Sequence, residues 1–194
     1  MENPEKIEIR FNILDAAMKL GLMLGIYQIA KLAIMVVAVK GSTVASLVLV
    51  ALSIGVPVFL WWLVKAYRDR NCRLLFPFPM AWLTSVLTCL FASVIAGVAT
   101  FAYLQYLDGG AFAADLMAQI EGLKQAALET ATETEGAGDV QQYIQQLEAM
   151  GKLLAQMTPR QAVLQLFNNN LFWGNLFSVA VGLATSTYAI FKKK

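Results

Sequence analysis

Four long apolar runs limit what this chain can become more than any other feature. They extend from Leu20 to Val39, Val44 to Val64, Met80 to Leu107 and Leu171 to Phe191. A hydrocarbon core of about 30 Å is crossed by about 20 apolar residues, so each run has spanning length. Lipid offers no partner to a free backbone amide, and only helices and closed barrels therefore cross it. None of the runs shows the alternation, repeated in segments of about ten residues, that marks a barrel strand. The expected fold class is all-α: a four-helix transmembrane bundle with an extramembrane amphipathic helical hairpin between helices 3 and 4. Composition agrees, because 58% of the residues are hydrophobic and 14% are charged, against about 45–50% and about 25% in soluble domains.

Turn formers and charges separate the runs: Lys40-Gly41-Ser42, the stretch from Lys65 to Pro79, and Asp108-Gly109-Gly110. Basic residues stay on the cytoplasmic side of a membrane. An inside N-terminus places Lys6, Arg10, Lys19, Lys65, Arg68, Arg70, Arg73, Lys192, Lys193 and Lys194 there, leaving Lys40, Lys124, Lys152 and Arg160 outside. Trp61, Trp62, Tyr67 and Trp82 then flank the inner basic loop, while Tyr103, Tyr106 and Trp173 fall near the outer boundary, as interfacial belts require. The chain accordingly divides into a leader with three transmembrane helices (1–107), an acidic extracytoplasmic insert (108–166), and a fourth helix with a basic tail (167–194). The leader contains Glu2, Glu5, Glu8 and Asp15, so the first run is expected to be retained and not cleaved as a secretory signal.

Within the insert, Phe112, Leu116, Ile120, Leu123 and Ala127 recur at helical spacing, as do Val140, Tyr143, Ile144, Leu147, Leu154 and Met157. Two amphipathic helices with facing stripes follow, joined by a tip over Thr132–Gly138 and with Asp139 capping the second. Thr158-Pro159-Arg160-Gln161 reads as a capping box with proline at the first helical position, which opens the helix that leads into the fourth run.

The chemistry that the sequence admits is narrow. A formal charge of +2 without an aromatic-interleaved basic patch gives nucleic acid no footing. The absence of histidine and of any acid pair within the spans argues against an enzyme, and no catalytic, cofactor-binding or metal-binding residues are expected. Cys72 falls in the inner loop and Cys89 within the third run, too far apart for a disulfide. Small residues mark candidate helix-packing positions: Gly21 with Gly25, Ser93 with Gly97, and Gly174, Ser178 and Gly182. The last three drift around a straight helix, so they are not expected to face one neighbour without supercoiling.

Lys31 is the residue that most needs explaining. It precedes Lys40 by nine positions, a depth of about 13 Å at helical rise, near the bilayer centre. Gln28 lies one turn away. Either the pair forms a candidate intramembrane polar site for an anion or a proton relay, or the first helix is tilted and Lys31 snorkels to the interface. Asn168, Asn169 and Asn170 carry a similar choice between a polar vestibule and an interfacial collar. Pro57 is expected to loosen the second helix.

A family likeness becomes visible at this point. Three runs, an acidic amphipathic insert, the Met157-Thr158-Pro159 junction, and a fourth run that opens with Phe172-Trp173-Gly174 and closes in Phe191-Lys192-Lys193-Lys194 resemble the bacterial membrane proteins grouped as domain of unknown function 4199. The likeness spans nearly the whole chain and is strongest from Gln145 to Lys194. It implies a multi-pass protein of the bacterial inner membrane with a periplasmic insert, and supplies no catalytic residues. Two function classes remain. The sequence favours a non-enzymatic accessory or interaction protein that presents residues 110–157 to a protein partner, because four helices with one buried charge make a thin pathway and no inverted repeat is evident; the alternative is a small transporter or channel component built around Lys31, Gln28 and Pro57. Either stands in the lipid bilayer, and homo-oligomerisation is compatible with both.

Overall fold

The computed structural model describes the backbone of residues 4–71, 76–133 and 137–186, and side-chain packing for 13–71, 76–129, 141–153 and 156–186. Six α-helices follow one another among these residues: α1 (Pro4–Val39), α2 (Thr43–Asn71), α3 (Phe78–Ala102), α4 (Ala111–Glu133), α5 (Ala137–Gln156) and α6 (Pro159–Thr185). A π-helical turn, Tyr103–Leu107, extends α3. Asp108 ends it: its amide donates to Tyr103 O at 2.9 Å, its carboxylate accepts the Phe112 amide at 2.9 Å, and Gly109 and Gly110 take φ of +55° and +88°. That left-handed pair, cheap only for glycine, reverses the chain into α4.

Stretches of α1, α2 and α3 are long and apolar enough to cross a membrane: Ile13–Val39, Thr43–Asn71 and Phe78–Leu107. Four such spans were expected. α6 is diluted by Asn168, Asn169 and Asn170, and the apolar end of its run, from residue 187 onward, lies outside the described residues together with the basic tail.

α3 is the centre of the bundle. It packs along α1 on one side and α6 on the other, while α2 rests against α1 and more sparingly against α6, so the four long helices close a ring in the order α1, α3, α6, α2. The buried face of α3 consists of Ala81, Thr84, Ser85, Thr88, Cys89, Ala92, Ser93, Ala96, Gly97 and Thr100. Its exposed face carries Trp82, Leu83, Val94 and Val98. α6 repeats the scheme, burying Gly174, Ser178, Val181 and Thr185 and exposing Phe172, Leu176, Val179 and Leu183. Small and hydroxyl-bearing residues inside with large apolar ones outside is the reverse of a soluble bundle, and suits helices held by close backbone approach in lipid.

The approach is close indeed. A Cβ added to Gly21 would lie 2.5 Å from the Phe91 Cβ and 3.1 Å from the Thr88 carbonyl oxygen, and one added to Gly25 would lie 3.0 Å from Ile95. Numbers rise together, so α1 runs parallel to α3. At Gly174 an added Cβ would meet Cys89 at 3.0 Å, at Gly182 it would meet Trp82 at 3.2 Å, and Gly97 sits opposite Val163; α6 is therefore antiparallel to α3. Ser178 also reaches Cys89, Oγ to Sγ at 3.9 Å. Gly174, Ser178 and Gly182 all meet α3, the arrangement for which their spacing requires the two helices to follow each other around their common axis.

Several boundaries differ from the sequence reading. α2 continues to Asn71, so Lys65, Arg68 and Arg70 stand on a helix instead of a loop. Lys65 lies 4.8 Å over the Trp61 ring, and Arg68 donates to Asp69 and, at 3.1 Å, to the carbonyl of Thr185 at the end of α6. These contacts satisfy Lys65 and Arg68 locally and hold the last turn in register. α5 starts at Ala137, so Asp139 lies within it and does not cap it, and Cys72 lies outside the described residues. The helix breaks at Met157 and runs without interruption past the 166/167 division from the Thr158–Gln161 capping box.

α4 and α5 lie antiparallel, with Ile120 beside Gly151 and the Lys124 ammonium 3.2 Å from Glu148 and 3.3 Å from Glu121. Ile120 and Leu147 are buried between them, whereas Leu123 and Tyr143, expected in the stripes, are exposed. Gln119 holds this layer to the bundle by donating to Ala38 O at 3.1 Å and Val39 O at 3.0 Å. Those are carbonyls of the last turn of α1, which lack donors within their own helix.

Replacing Gly21 by Ala is expected to lower stability by about 1–3 kcal/mol, because Thr88 backbone cannot yield. In Gly122→Ala nothing lies within 4 Å of the new methyl, and stability should rise by about 0.5–1 kcal/mol. Unfolding midpoints in detergent compare the two, and equal effects would contradict the α1–α3 contact. The α4–α5 pairing carries a pH dependence. Hydrogen bonds that Lys124 donates to Glu148, then to Glu121, raise its pKa above the ordinary lysine value. A raised folded-state pKa stabilises fully below the unfolded value, and this contribution disappears as the pH climbs through the folded one. Spin labels on α4 and α5 should separate at strongly alkaline pH, and Lys124→Met should abolish that alkaline step.

Candidate functional site: a polar hollow inside the bundle

Helical spacing brings the polar residues of four helices to one level. On α1, Leu24, Gln28 and Lys31 follow each other at four and three residues; on α6, Asn169, Asn170, Trp173, Gly174 and Phe177 share a face. With Ser53, Val56 and Leu60 of α2 and Cys89, Ala92 and Ser93 of α3 they border a partly open hollow of about 300 Å³. Its floor is sealed toward the N-terminal end of α1, where Leu60, Leu63, Val64 and Phe76 are fully buried and Val181 nearly so.

Toward the other end the helices separate. A second hollow of about 130 Å³ shares Gln28, Lys31 and Asn170 with the first and continues past Ala96 and Thr100 to Tyr103, Leu104 and Phe112. A third, of about 220 Å³, shares Leu104, Phe112 and Ala162 with the second and reaches Asp108, Gly110 and Pro159 at the base of the α4–α5 layer. Lys31 thus stands where a chain of cavities leaves the bundle interior. The π-helical turn contributes to this opening, since its wider winding places Tyr103 and Leu104 beside the passage.

Hydrogen bonding singles out the first hollow. Thr84, Ser85, Thr88 and Thr100 of α3 each donate to the carbonyl four residues earlier at 2.7–2.8 Å. Ser93, the remaining buried hydroxyl of α3 and only 3% exposed, has no such bond. Lys31, Gln28, Asn169 and Asn170 likewise make no hydrogen bond or ion pair with any described residue. Ser93 is buried, whereas Lys31, Gln28 and Asn170 are half-buried and Asn169 is exposed; a buried hydroxyl without a partner is rare, and the polar groups that converge around it leave room for an occupant. Pro57 adds an acceptor, because it removes the amide that would close on the Ser53 carbonyl. One ammonium, three carboxamides and two hydroxyls, with no carboxylate among the lining residues, suit an anionic group or a strong hydrogen-bond acceptor.

Among the residues expected to matter, Lys31 and Gln28 line the hollow together. Gly21, Gly25, Gly97, Ser178 and Gly182 occupy helix contacts instead, and Gly174 does both, meeting Cys89 and bordering the hollow. Ser93, expected only as a packing residue, faces the cavity. Sequence reasoning did not bring Asn169, Asn170 and Ser53 to Lys31. The available signal was the i, i+4 relation of Asn170 to Gly174, which assigns them neighbouring positions on the α3-facing side of α6.

Residues 19–187 match the family model described as a protein of unknown function (DUF4199). The chain belongs to that family. No curated protein and no solved structure matches. For this DUF4199 chain the geometry therefore carries the functional reading. It also contains no group of three or more His, Cys, Asp or Glu side chains placed to hold a metal, among the described residues.

An unpaired ammonium in a nonpolar bundle opposes stability. Lys31→Met is expected to raise the unfolding midpoint in detergent by the equivalent of about 1–3 kcal/mol. A lower midpoint would show that Lys31 is a structural support and not a group held ready for a ligand.

Proposed function

We propose that this protein is a four-span membrane protein whose bundle receives an anionic or strongly hydrogen-bond-accepting group at Lys31, as a small solute-binding or transport component and not as an enzyme. The observation that carries the proposal is the Ser93 hydroxyl, which has no partner among the described residues and faces the same cavity as Lys31, Gln28, Asn169 and Asn170, also without one among them. The exposed row Phe172, Leu176, Val179 and Leu183 on α6 favours a lipid-facing fourth span. The distribution of basic residues favours cytoplasmic termini, with residues 108–166 outside the inner membrane. In this orientation the cavities open under the α4–α5 layer on the outer side. α4 and α5 then act as a cover over the passage.

The accessory reading keeps one specific support. Leu123, Leu128, Tyr143, Met150 and Leu153 on α4 and α5 are exposed, more apolar surface than a solvated hairpin ordinarily leaves bare. A protein partner, or a second copy of the chain, would cover it. A bundle that binds a solute and a hairpin that recruits a partner are compatible in one molecule.

Access to Lys31 tests the proposal without knowledge of the ligand. In a chain with its native cysteines replaced, Lys31→Cys should react with a membrane-impermeant thiol reagent added from the outer side of sealed vesicles, and Asn170→Trp should slow that reaction. Labelling from the inner side alone, or from neither side, would remove the passage on which the proposal depends.

A further inference from the structure

A separate groove lies between α1 and α2 near the opposite end of the bundle, with a volume of about 400 Å³. Lys19, Arg70 and Asn71 form its rim. Lys19 is held 2.8 Å from Asp15, while Arg70 has no partner among the described residues, so the groove retains one uncompensated positive charge. Met23 and Trp62 line its apolar part, and Trp62 is 55% exposed. Eight residues separate Arg70 from Trp62, about 12 Å along the helix axis. The change from cationic rim to apolar wall therefore occurs over the distance between a phosphate and the first carbons of its acyl chains.

We infer that this groove is a binding site for an anionic phospholipid, with the phosphate at Arg70 and Lys19, Asn71 donating to headgroup oxygens, and an acyl chain along Met23 and Trp62. Charge complementarity selects the occupant. An apolar peptide would leave Arg70 unpaired, and a free phosphate would leave the aromatic wall uncovered. The interfacial position, at the start of the α1 span and the end of the α2 span, supplies the correct depth for a headgroup. The inference requires α1 and α2 to stand in a membrane, but it is independent of the Lys31 cavity.

The full-length protein in detergent, titrated with phosphatidylglycerol brominated on its acyl chains, tests it. Tryptophan quenching should saturate at lower lipid concentration than with brominated phosphatidylcholine, and Trp62→Phe should remove the saturable part. Arg70→Gln is expected to weaken the anionic-lipid interaction about fivefold, as loss of one interfacial cation does, whereas Arg70→Lys should retain it. Arg160→Gln, which changes a cation in the first turn of α6, should have no effect. Equal quenching by the two lipids, or unchanged binding in Arg70→Gln, would overturn the inference. Equal competition by glycerol phosphate would assign the site to a soluble anion and overturn it as well.

Discussion

Close contact along both sides of α3 is the interaction that the rest of the structure depends on. Lipid supplies no hydrophobic driving force between helices, so cohesion comes from dispersion and short backbone separation. α3 meets this requirement with a face of alanine, glycine, serine and threonine, against which Gly21 and Gly25 of α1 and Gly174 and Gly182 of α6 close to within a methyl group of contact. The hydroxyls do not obstruct this packing, because Thr84, Ser85, Thr88 and Thr100 return their protons to carbonyls of their own helix. Two neighbours fixed to one central helix leave α2 the task of closing the ring, and it does so mainly at one end.

That asymmetry creates the cavity. At the level of Leu60, Leu63 and Val64, α2 fills the interior, and Arg68 ties it to the end of α6. Farther along, Ala51, Ser53 and Ile54 are exposed, and the Tyr27 hydroxyl holds α2 to α1 by donating to Leu52 O at 2.7 Å. Gly55 admits that ring, since a Cβ there would lie 2.5 Å from the tyrosine oxygen. With α2 drawn toward α1, its side facing α6 opens, and the polar residues of α1, α3 and α6 line the space that remains. Packing by small residues and a hollow at mid-bundle are thus two results of the same choice of side chains.

The spans of α1, α2 and α3 were legible because apolar length is a property of contiguous residues, and the reversal at Asp108-Gly109-Gly110 and the Thr158–Gln161 capping box were legible because their chemistry is local. Ring order was not, since it depends on which small-residue face meets which neighbour. The same limit applied to Leu123 and Tyr143. Their spacing fits an apolar stripe, but α4 and α5 share only a narrow seam through Ile120 and Leu147, and the stripe edges remain outside it. Lys31 and Gln28 could be named from one helix alone, while the participation of Ser93, Ser53, Asn169 and Asn170 required three other helices to be placed around them.

The composition of α6 shows how site and architecture compete for the same residues. A helix that packs against α3 needs small residues on one face, and a helix that lines a polar cavity needs carboxamides one or two turns earlier. Both demands lower the mean hydropathy of the described part of α6, whose run continues into apolar residues outside the described ones. Natural sequences depart from local rules chiefly where function imposes a second requirement. Under the proposed solute-binding reading Asn169 and Asn170, which line the hollow with Lys31, are such a departure, while Asn168 stays exposed on the neighbouring face.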